Sequence, residues 1–395
     1  LFRSYKASSA TLYSVVPNTS VGDFDITVDA DATRVKKDGL IESVAANQAR
    51  LDYPLTNGVV GDCPHLLLEP SRTNSLTYST LAFNGGSIPT GWTVGFGTGT
   101  FSHTETTYKG QGAVKHTQIT TGRSYLSEAI NLSTSTTYTL RVEFDRDNSS
   151  GIDDDDIILS TVSIDNSFFK RWSDVDDNGI LEVQFTTGAD ASGELRIGFG
   201  VSGNEDGGKT IVFSMPQIEQ GSYATSYIPT TNSTVTRSAE TCNGAGDSST
   251  FNDSESSLFV EIQGLAEDNT NKYISISDGG GSPYTNSLTI QYRSNGTLRI
   301  FHNGLDFVDA IFASGSSFDQ TENHKIAIRF KENDMAVYID GVSQSLNGSF
   351  VYQSISGLDR LAFDLNGNLS FVGKCKQLIV FNTALTDSEL EQLTS

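Results

Sequence analysis

The sequence predicts an all-β protein, with an N-terminal arm followed by two β-sandwich domains of jelly-roll type. Many short segments alternate apolar and polar residues, as half-buried strands do. Turn residues separate these segments at close intervals, and the chain contains 37 Gly. At 395 residues, the chain is too long for one ordinary core.

The charge balance limits the classes of partner. The chain carries 26 basic and 48 acidic residues, a net charge of -22. This disfavours binding to nucleic acid, where a basic patch is expected. No run of about 18 apolar residues is present, so we expect no membrane insertion. Neutral glycans, bound cations and simple solubility all remain compatible with the charge, and we expect no cofactor to be required.

The three cysteines, Cys63, Cys242 and Cys375, lie far apart and match no zinc spacing. An odd number of distant cysteines is also a poor disulfide framework. We therefore predict buried free thiols, with a Cys63–Cys242 bridge as the alternative.

Residues 1–72 predict an arm with short strands and too few large apolar side chains for a core of its own. FDITV at 24–28 alternates as a strand does, and LDY at 51–53 and HLLLEP at 65–70 are typical of two more short strands. We expect the arm to pack against the next domain or against another chain.

Residues 73–237 contain about eight candidate strands between turns, which favours a jelly-roll sandwich with Trp92 in its core. The last strand reaches Pro216, and a connector rich in Gly, Ser, Thr and Pro follows it. Residues 238–256 are small and polar, and they predict a linker between domains.

Residues 257–395 predict a second sandwich, because each of six segments alternates apolar and polar residues. Asn295-Gly296 suits a two-residue hairpin turn, in which both positions need a positive φ. A short helix is predicted at the end, with Thr386 as the N-cap and Glu389 completing a capping box.

Two stretches frame the first sandwich. They are LLLEPSRTNSLTYS at 66–79 and PQIEQGSYATSYIPT at 216–230, the latter followed by TVTR at 234–237. They resemble the entrance and exit of a jelly-roll module in fibre and appendage proteins of tailed bacteriophages. TRVKKDGLIESVAANQARLDY at 33–53 is similar to the start of such proteins. The resemblance implies a virion structural protein of tail-fibre or head-fibre type at the virion surface, with a carbohydrate-binding-like jelly roll.

HKIAIRFKENDMAVYIDGV at 324–342 and GKCKQLIVFNTALTDSELEQL at 373–393 together resemble the concanavalin A-like, laminin G-like sandwich. The two resemblances imply adhesion to host-surface carbohydrate, contact with other virion proteins and a homotrimer. Two alternatives remain. One is a set of carbohydrate-binding modules from a secreted polysaccharide-degrading enzyme, and the other is a structural or decoration protein without a ligand.

Catalytic motifs are sparse. Glucanases of the concanavalin-like fold carry E-x-D-x-x-E, because glycoside hydrolysis needs paired carboxylates. The nearest match, Glu261-Ile262-Gln263, has an amide at the middle position. The chain contains no G-x-S-x-G elbow, and its five His are scattered. We predict that the chain is not an enzyme.

Calcium is the candidate metal. Asp174, Asp176 and Asn178, followed by Gly179, match the first half of a calcium loop, in which alternate oxygens converge on one ion. The twelfth position is Phe185 and lacks the required Glu, so we predict that Glu182 or the run Asp153–Asp156 completes the shell. The alternative is a solvated acidic hairpin turn.

A sugar stacks its C–H face on an aromatic ring and bonds its hydroxyls to nearby polar groups. Aromatic residues in or near predicted turns are therefore the glycan-binding candidates, with core packing as the alternative. They are Trp172, Tyr284, Tyr292, His302 and Tyr352. Trp172, beside the acidic turn, is expected to be the most exposed.

Overall fold

The structure, a computed structural model, describes residues 10–11, 24–30, 32–56, 59–96, 99–200, 205–280, 285–310, 318–346, 351–365, 367 and 369–395. Regular structure in these residues is almost entirely β-strand, which confirms the all-β class. The strands form two sandwiches, each with a hydrophobic core of its own. Within the described ranges, no helix is long and apolar enough to cross a membrane.

The arm contains strands of two to four residues. They are β1 (Ala10–Thr11), β2 (Asp25–Thr27), β3 (Thr33–Val35), β4 (Ile41–Ser43), β5 (Leu51–Asp52), β6 (Leu55–Thr56), β7 (Val59–Val60), β8 (His65–Leu68) and β9 (Arg72–Asn74). β3 and β4 form a hairpin whose turn contains Gly39 at a φ of 80°, a conformation that Gly adopts without steric penalty.

The first sandwich is built from longer strands. They are β10 (Thr93–Phe96), β11 (Phe101–Tyr108), β12 (Gln111–Gln118), β13 (Ser124–Asn131), β14 (Thr137–Phe144), β15 (Ile157–Val162), β16 (Phe169–Arg171), β17 (Ile180–Thr186), β18 (Ser192–Phe199), β19 (Lys209–Gln220) and β20 (Val235–Arg237). One sheet has the order β10-β13-β18-β15-β16, and the other has β11-β12-β19-β14-β17. Trp92 is buried between them, as predicted.

The two ends of this sandwich lie side by side. β9 pairs with β20, so that Thr73 faces Thr236 across the ladder, and both strands continue the sheet beyond β19. The chain therefore enters and leaves the first sandwich at one place.

The second sandwich follows. Its strands are β21 (Thr241–Asn243), β22 (Glu255–Gly264), β23 (Lys272–Ser277), β24 (Ser287–Tyr292), β25 (Leu298–His302), β26 (Leu305–Ala310), β27 (His324–Lys331), β28 (Ala336–Ile339), β29 (Val342–Ser343), β30 (Arg360–Ala362) and β31 (Gly373–Phe381). One sheet has the order β26-β25-β24-β23-β30. The other has the order β29-β28-β27-β22-β31-β8-β5, with β1 also paired to β31.

The arm thus completes the second sandwich. β8 pairs with β31, so that Leu66 faces Cys375, and β2 pairs with β21. We predicted that the arm packs against the next domain in sequence or against another chain. Its strands β2 and β8 instead pair with the second sandwich, which the jelly roll separates from the arm in sequence. The arm also contacts the next domain, where the Ile41 N–H donates to the Lys109 carbonyl at 2.8 Å.

The core of the second sandwich draws on three parts of the chain. The arm contributes Phe24, Leu66 and Leu68, which are at most 6% exposed. The segment predicted as a linker contributes Ala245 and Phe251, which are also buried. Residues 238–256 are therefore a structural part of this sandwich, and their small side chains suit close packing instead of flexibility.

Two local predictions have different outcomes. The helix α1 (Asp387–Thr394) begins with the predicted capping box, in which Thr386 and Glu389 bond each other's backbone N–H groups. The β24–β25 connection spans 293–297, where the Gly296 N–H donates to the Arg293 carbonyl at 3.0 Å. The two-residue turn predicted at Asn295-Gly296 is therefore wrong, because only Gly296 takes a positive φ.

All three cysteines are free, so the Cys63–Cys242 bridge does not form. Cys242 and Cys375 are buried as predicted, whereas Cys63 is exposed in a bend of the arm. Burial raises the pKa of the Cys242 thiol, which keeps it protonated and unreactive.

Candidate functional site

A cleft of about 390 Å³ opens where the arm, the jelly roll and the second sandwich meet. Tyr53 comes from the arm, Arg141 and Glu182 from the jelly roll, Tyr223 from the connector after β19, and Lys374 from β31. A volume of this size lies at the lower end of the range for small-molecule sites. Its lining mixes charged groups with aromatic rings.

One wall is a group of charged side chains on the jelly roll, Arg141, Glu143 and Glu182, which we call the charged fork. Arg141 and Glu182 face each other across β14 and β17, with 4.0 Å between the guanidinium and the carboxylate. Arg141 also bonds Glu143 at 2.9 Å, since residues two apart on a strand share one face. Lys109 reaches Glu143 from the other side at 2.7 Å.

Charge partners decide the state of Glu143. Burial raises the pKa of its carboxyl, but the charges of Arg141 and Lys109 outweigh burial and lower the pKa overall. Glu143 is therefore held as a carboxylate, and it can only accept hydrogen bonds.

The arm supplies the opposite wall. The Asp52 carboxylate accepts the Val35 N–H at 2.7 Å, and the Tyr53 N–H donates to the Val35 carbonyl at 3.1 Å. Arg34 and Glu42 pair across the hairpin at 2.8 Å. These bonds fix the backbone that carries Tyr53, so the half-buried ring has a set position at the cleft.

Beneath the cleft lies a buried charge cluster, formed by Arg50, Glu69, Arg237 and Glu240. Arg50 bonds Glu69 at 2.7 Å and Glu240 at 2.5 Å, and Arg237 bonds Glu69 at 2.8 Å. Ser226 links the charges, since its hydroxyl donates to Glu69 at 2.6 Å. Both guanidinium groups are fully buried. Burial raises the pKa of the Glu240 carboxyl, against the opposing effect of Arg50.

The positive charges of the cluster determine the protonation state of Glu69. Burial raises the pKa of Glu69, but Arg237, Arg50 and the Ser226 bonds outweigh it and lower the pKa to about 2. Glu69 is consequently ionised at any physiological pH. The cluster holds the arm, the connector and the start of the second sandwich together, and so positions the walls of the cleft.

The predicted calcium residues form a capped turn. Asp174 accepts a backbone N–H at 2.7 Å in a short 3-10 turn, and Asp176 accepts the N–H groups of Asn178 at 2.9 Å and Ile180 at 2.7 Å. Glu182 lies on β17 and lines the cleft. Across the described part of the chain, no group of three or more His, Cys, Asp and Glu side chains is arranged to hold a metal.

Trp172 is a core residue, which corrects the expectation of exposure. Only 8% of it is accessible, and its ring packs edge-on against Phe144 with 5.9 Å between centroids. Arg146 covers the ring at 5.1 Å. The acidic neighbours in sequence made this tryptophan resemble a surface residue, but the 3-10 turn directs its side chain inward.

Three of the other predicted aromatic residues are described by the structure, and all three lie apart from the cleft. Tyr292 and His302 are fully buried in the second sandwich, so neither ring can stack on a sugar. Tyr352 is half-buried and stacks on His302 with 5.1 Å between centroids. Tyr284 lies outside the described residues.

Sequence reasoning did not predict the cleft, and it named Glu182 only as a metal ligand. One signal was present in β14, where Arg141 and Glu143 alternate with the buried apolar residues Leu140, Val142 and Phe144. Two opposite charges on one face of a central strand indicate a paired and half-buried site.

No protein-family model and no curated protein matches the chain. Solved structures that it resembles weakly include Trypanosoma rangeli sialidase at 10% identity and a TM-score of 0.29, covering 90% of this chain and 60% of that one. The same sialidase with the inhibitor DANA matches at 9% identity and a TM-score of 0.29, covering 74% of this chain and 52% of that one.

The chain thus spans about half to three-fifths of the length of these sialidases. The matched proteins are enzymes, and this contradicts the prediction that the chain is not an enzyme, which we withdraw. TM-scores of 0.29 assign neither a fold nor an activity to this chain.

Proposed function

We propose that this protein is a structural component of a tailed-phage virion, of fibre type, and that its cleft binds carbohydrate on the host surface. The observation that supports adhesion is the cleft itself, in which the charged fork lies beside tyrosine rings. The virion role is supported by the resemblance of the stretches 66–79, 216–230 and 234–237 to phage modules. The same stretches supply Glu69, Ser226 and Arg237 to the buried cluster beneath the cleft.

The cleft suits a polyhydroxylated ligand. Glu182 is partly exposed, at 38% of its side chain, and its oxygens can accept hydrogen bonds from hydroxyl groups. Arg141 can donate hydrogen bonds to ring and hydroxyl oxygens. Tyr53 offers a half-buried ring against which the C–H face of a sugar can pack. A single site of this kind binds weakly.

Oligomerisation compensates for weak sites. We propose a homotrimer anchored to other virion proteins, because linked sites gain about 10²–10⁴ in avidity without any new contact. Light scattering on the full chain tests the number of copies, with three expected and one contradicting the proposal.

A glycan array probed with the full chain tests adhesion, and a calorimetric titration then measures the affinity for the best glycan. Glu182→Gln should weaken binding by about tenfold or more, because a charged hydrogen-bond partner contributes about 1.5–3 kcal/mol. Glu194→Gln is the matched control, since Glu194 pairs with Arg196 on β18, outside the cleft lining, and should leave binding unchanged. No binding to any glycan, or equal binding by both variants, would contradict the proposal.

A further inference from the structure

Inside the jelly roll lies a second cluster of charges, formed by Lys209, Asp156 and Glu205. The Lys209 ammonium contacts the Asp156 carboxylate, and it lies 3.6 Å from the Glu205 carboxylate. Their side chains are 9%, 6% and 20% exposed. This is an amine beside a carboxyl group, with a second, partly exposed carboxyl group next to the amine, and the Lys209–Asp156 contact itself is shielded from water.

The cluster joins the two sheets of the jelly roll. Lys209 is the first residue of β19 in one sheet, and Asp156 directly precedes β15 in the other. Glu205 is held by two backbone bonds to Gly122, at 2.7 and 2.8 Å. The three side chains are therefore brought together by the fold from separate elements, and they do not form a flexible surface pair.

We propose that Lys209 and Asp156 condense into an intramolecular amide bond, with Glu205 as the proton-transfer group. The Lys209 Nζ–Asp156 Cγ bond forms, one Asp156 Cγ–O bond breaks, and the oxygen leaves as water. An ammonium and a carboxylate become an amide and water, so atoms and charge balance and no oxidant is needed. The inference does not depend on the proposed function.

The surroundings supply what this condensation requires. The Asp153 N–H donates to the Asp156 Oδ2 at 2.8 Å, and it would stabilise the negative charge that develops on that oxygen during attack. Burial raises the pKa of the Glu205 carboxyl, and the neighbouring Asp156 raises it further, against the effect of Lys209. Glu205 can therefore take up a proton in this site and return it.

The resting Lys209 amine is protonated, so a proton must move before it can attack. Burial alone would lower the pKa of Lys209, but Asp156 and Glu205 outweigh burial and raise it. Glu205 is in contact with the Lys209 ammonium and can carry its proton to the departing oxygen. Without Glu205, the pair should remain an ordinary buried ion pair.

A second buried pair provides an internal control. Lys272 contacts Asp268 at 2.7 Å, and only 1% of the lysine side chain is exposed. Among the described residues, no second carboxylate forms an ion pair with Lys272, whose ammonium also donates to the Ala266 carbonyl at 3.2 Å. This pair lacks the proton-transfer group, and we expect it to stay unlinked.

Intact mass spectrometry of the denatured full chain tests the proposal. The mass should be about 18 Da, one water, below the sequence mass, and digestion should yield a branched peptide that contains Lys209 and Asp156. Lys209→Met and Glu205→Gln should each restore the full mass, while Lys272→Met should keep the deficit. The mass deficit is measured on the wild-type chain, so this main result does not depend on whether the variants fold.

Two results would overturn the proposed Lys209–Asp156 bond. One is a wild-type chain of full mass without the branched peptide. The other is a deficit that persists in Lys209→Met, which would assign the lost water to cyclisation of an Asp-Gly pair such as Asp206-Gly207. A deficit that persists in Glu205→Gln would overturn the role given to Glu205.

Discussion

The two sandwiches differ in how they are assembled from the chain. The jelly roll uses one continuous stretch, and its ends meet where β9 pairs with β20. The second sandwich is discontinuous, because β8 from the arm lies beside β31 in its larger sheet. The jelly roll is thus inserted into the second sandwich, between strands that belong to one sheet.

The difference has an energetic consequence. The jelly roll keeps its core when it is separated from the rest, since its buried cluster contains only residues from position 76 to position 218. The second sandwich loses Phe24, Leu66 and Leu68 when the arm is absent. Each large apolar side chain contributes about 1.5–3 kcal/mol, so the three together approach the total stability of a domain.

Separate expression of the two sandwiches gives the largest expected effect. The fragment 72–237 should unfold cooperatively, whereas 257–395 should show no cooperative transition, because its core lacks the residues from the arm. Circular dichroism during heating measures both. A sharp transition in 257–395 would contradict an essential role for the arm, and restoring residues 24–71 in the full chain serves as the positive control.

Breaking the buried charge cluster should have the next largest effect. Arg50→Met leaves Glu69 and Glu240 buried with one positive charge fewer, and removing one partner of a buried pair costs about 3–5 kcal/mol. The control is Arg34→Met, whose partner Glu42 is 36% exposed, with an expected loss of at most about 1 kcal/mol. Urea unfolding of both variants checks the difference, and equal losses would argue against the cluster as the junction.

The loss of stability in mild acid should have the smallest effect, and it should depend on different histidines in the two sandwiches. Burial lowers the pKa of His103 to about 4 and of His116 to about 3 in the jelly roll, and of His302 to about 4 in the second sandwich. The unfolded chain protonates these rings near pH 6.5 and the folded chain only at lower pH. The contribution of these neutral rings to the free energy of unfolding is therefore fully present above pH 6.5. It decreases as the pH is lowered, by up to about 1.4 kcal/mol per pH unit for each ring.

Trp92 and Trp172, the two tryptophans of the chain, both lie in the jelly-roll core, so tryptophan fluorescence reports on this sandwich. Between pH 6.5 and 4.5, the slope of its unfolding free energy against pH should become smaller in His103→Phe, since one of the two rings no longer titrates. His302→Phe should leave that slope unchanged. An unaltered slope in His103→Phe would show that the ring pair does not govern the acid response.

Much of the fold followed from alternation in the sequence, because the period of two shows which segments become strands and which faces are buried. Alternation does not identify the partner strand. The pairing of β8 with β31 was therefore missed, although Leu66, Leu67 and Leu68 form the continuous apolar run that a strand buried on both faces requires.

The candidate site was less predictable than the fold. Arg50 and Glu240 resemble surface charges in sequence, and only the fold shows that they meet, 190 positions apart. Tyr53 and Arg141 are likewise on different parts of the chain, brought together by the return of the arm. Local pattern indicates a strand or a cap such as Thr386, but a site assembled from distant segments leaves no local spacing to find.

The insertion also determines how the protein carries mechanical load. β1 and β8 both lie against β31, so tension between the two ends of the described chain passes through one sheet and bypasses the jelly roll. A pull on the jelly roll instead reaches β9 and β20 at the same time, because these neighbouring strands are its two connections to the rest. Arg72 and Arg237 face each other at the end of this ladder where the chain enters and leaves, so the two connections share the load in parallel.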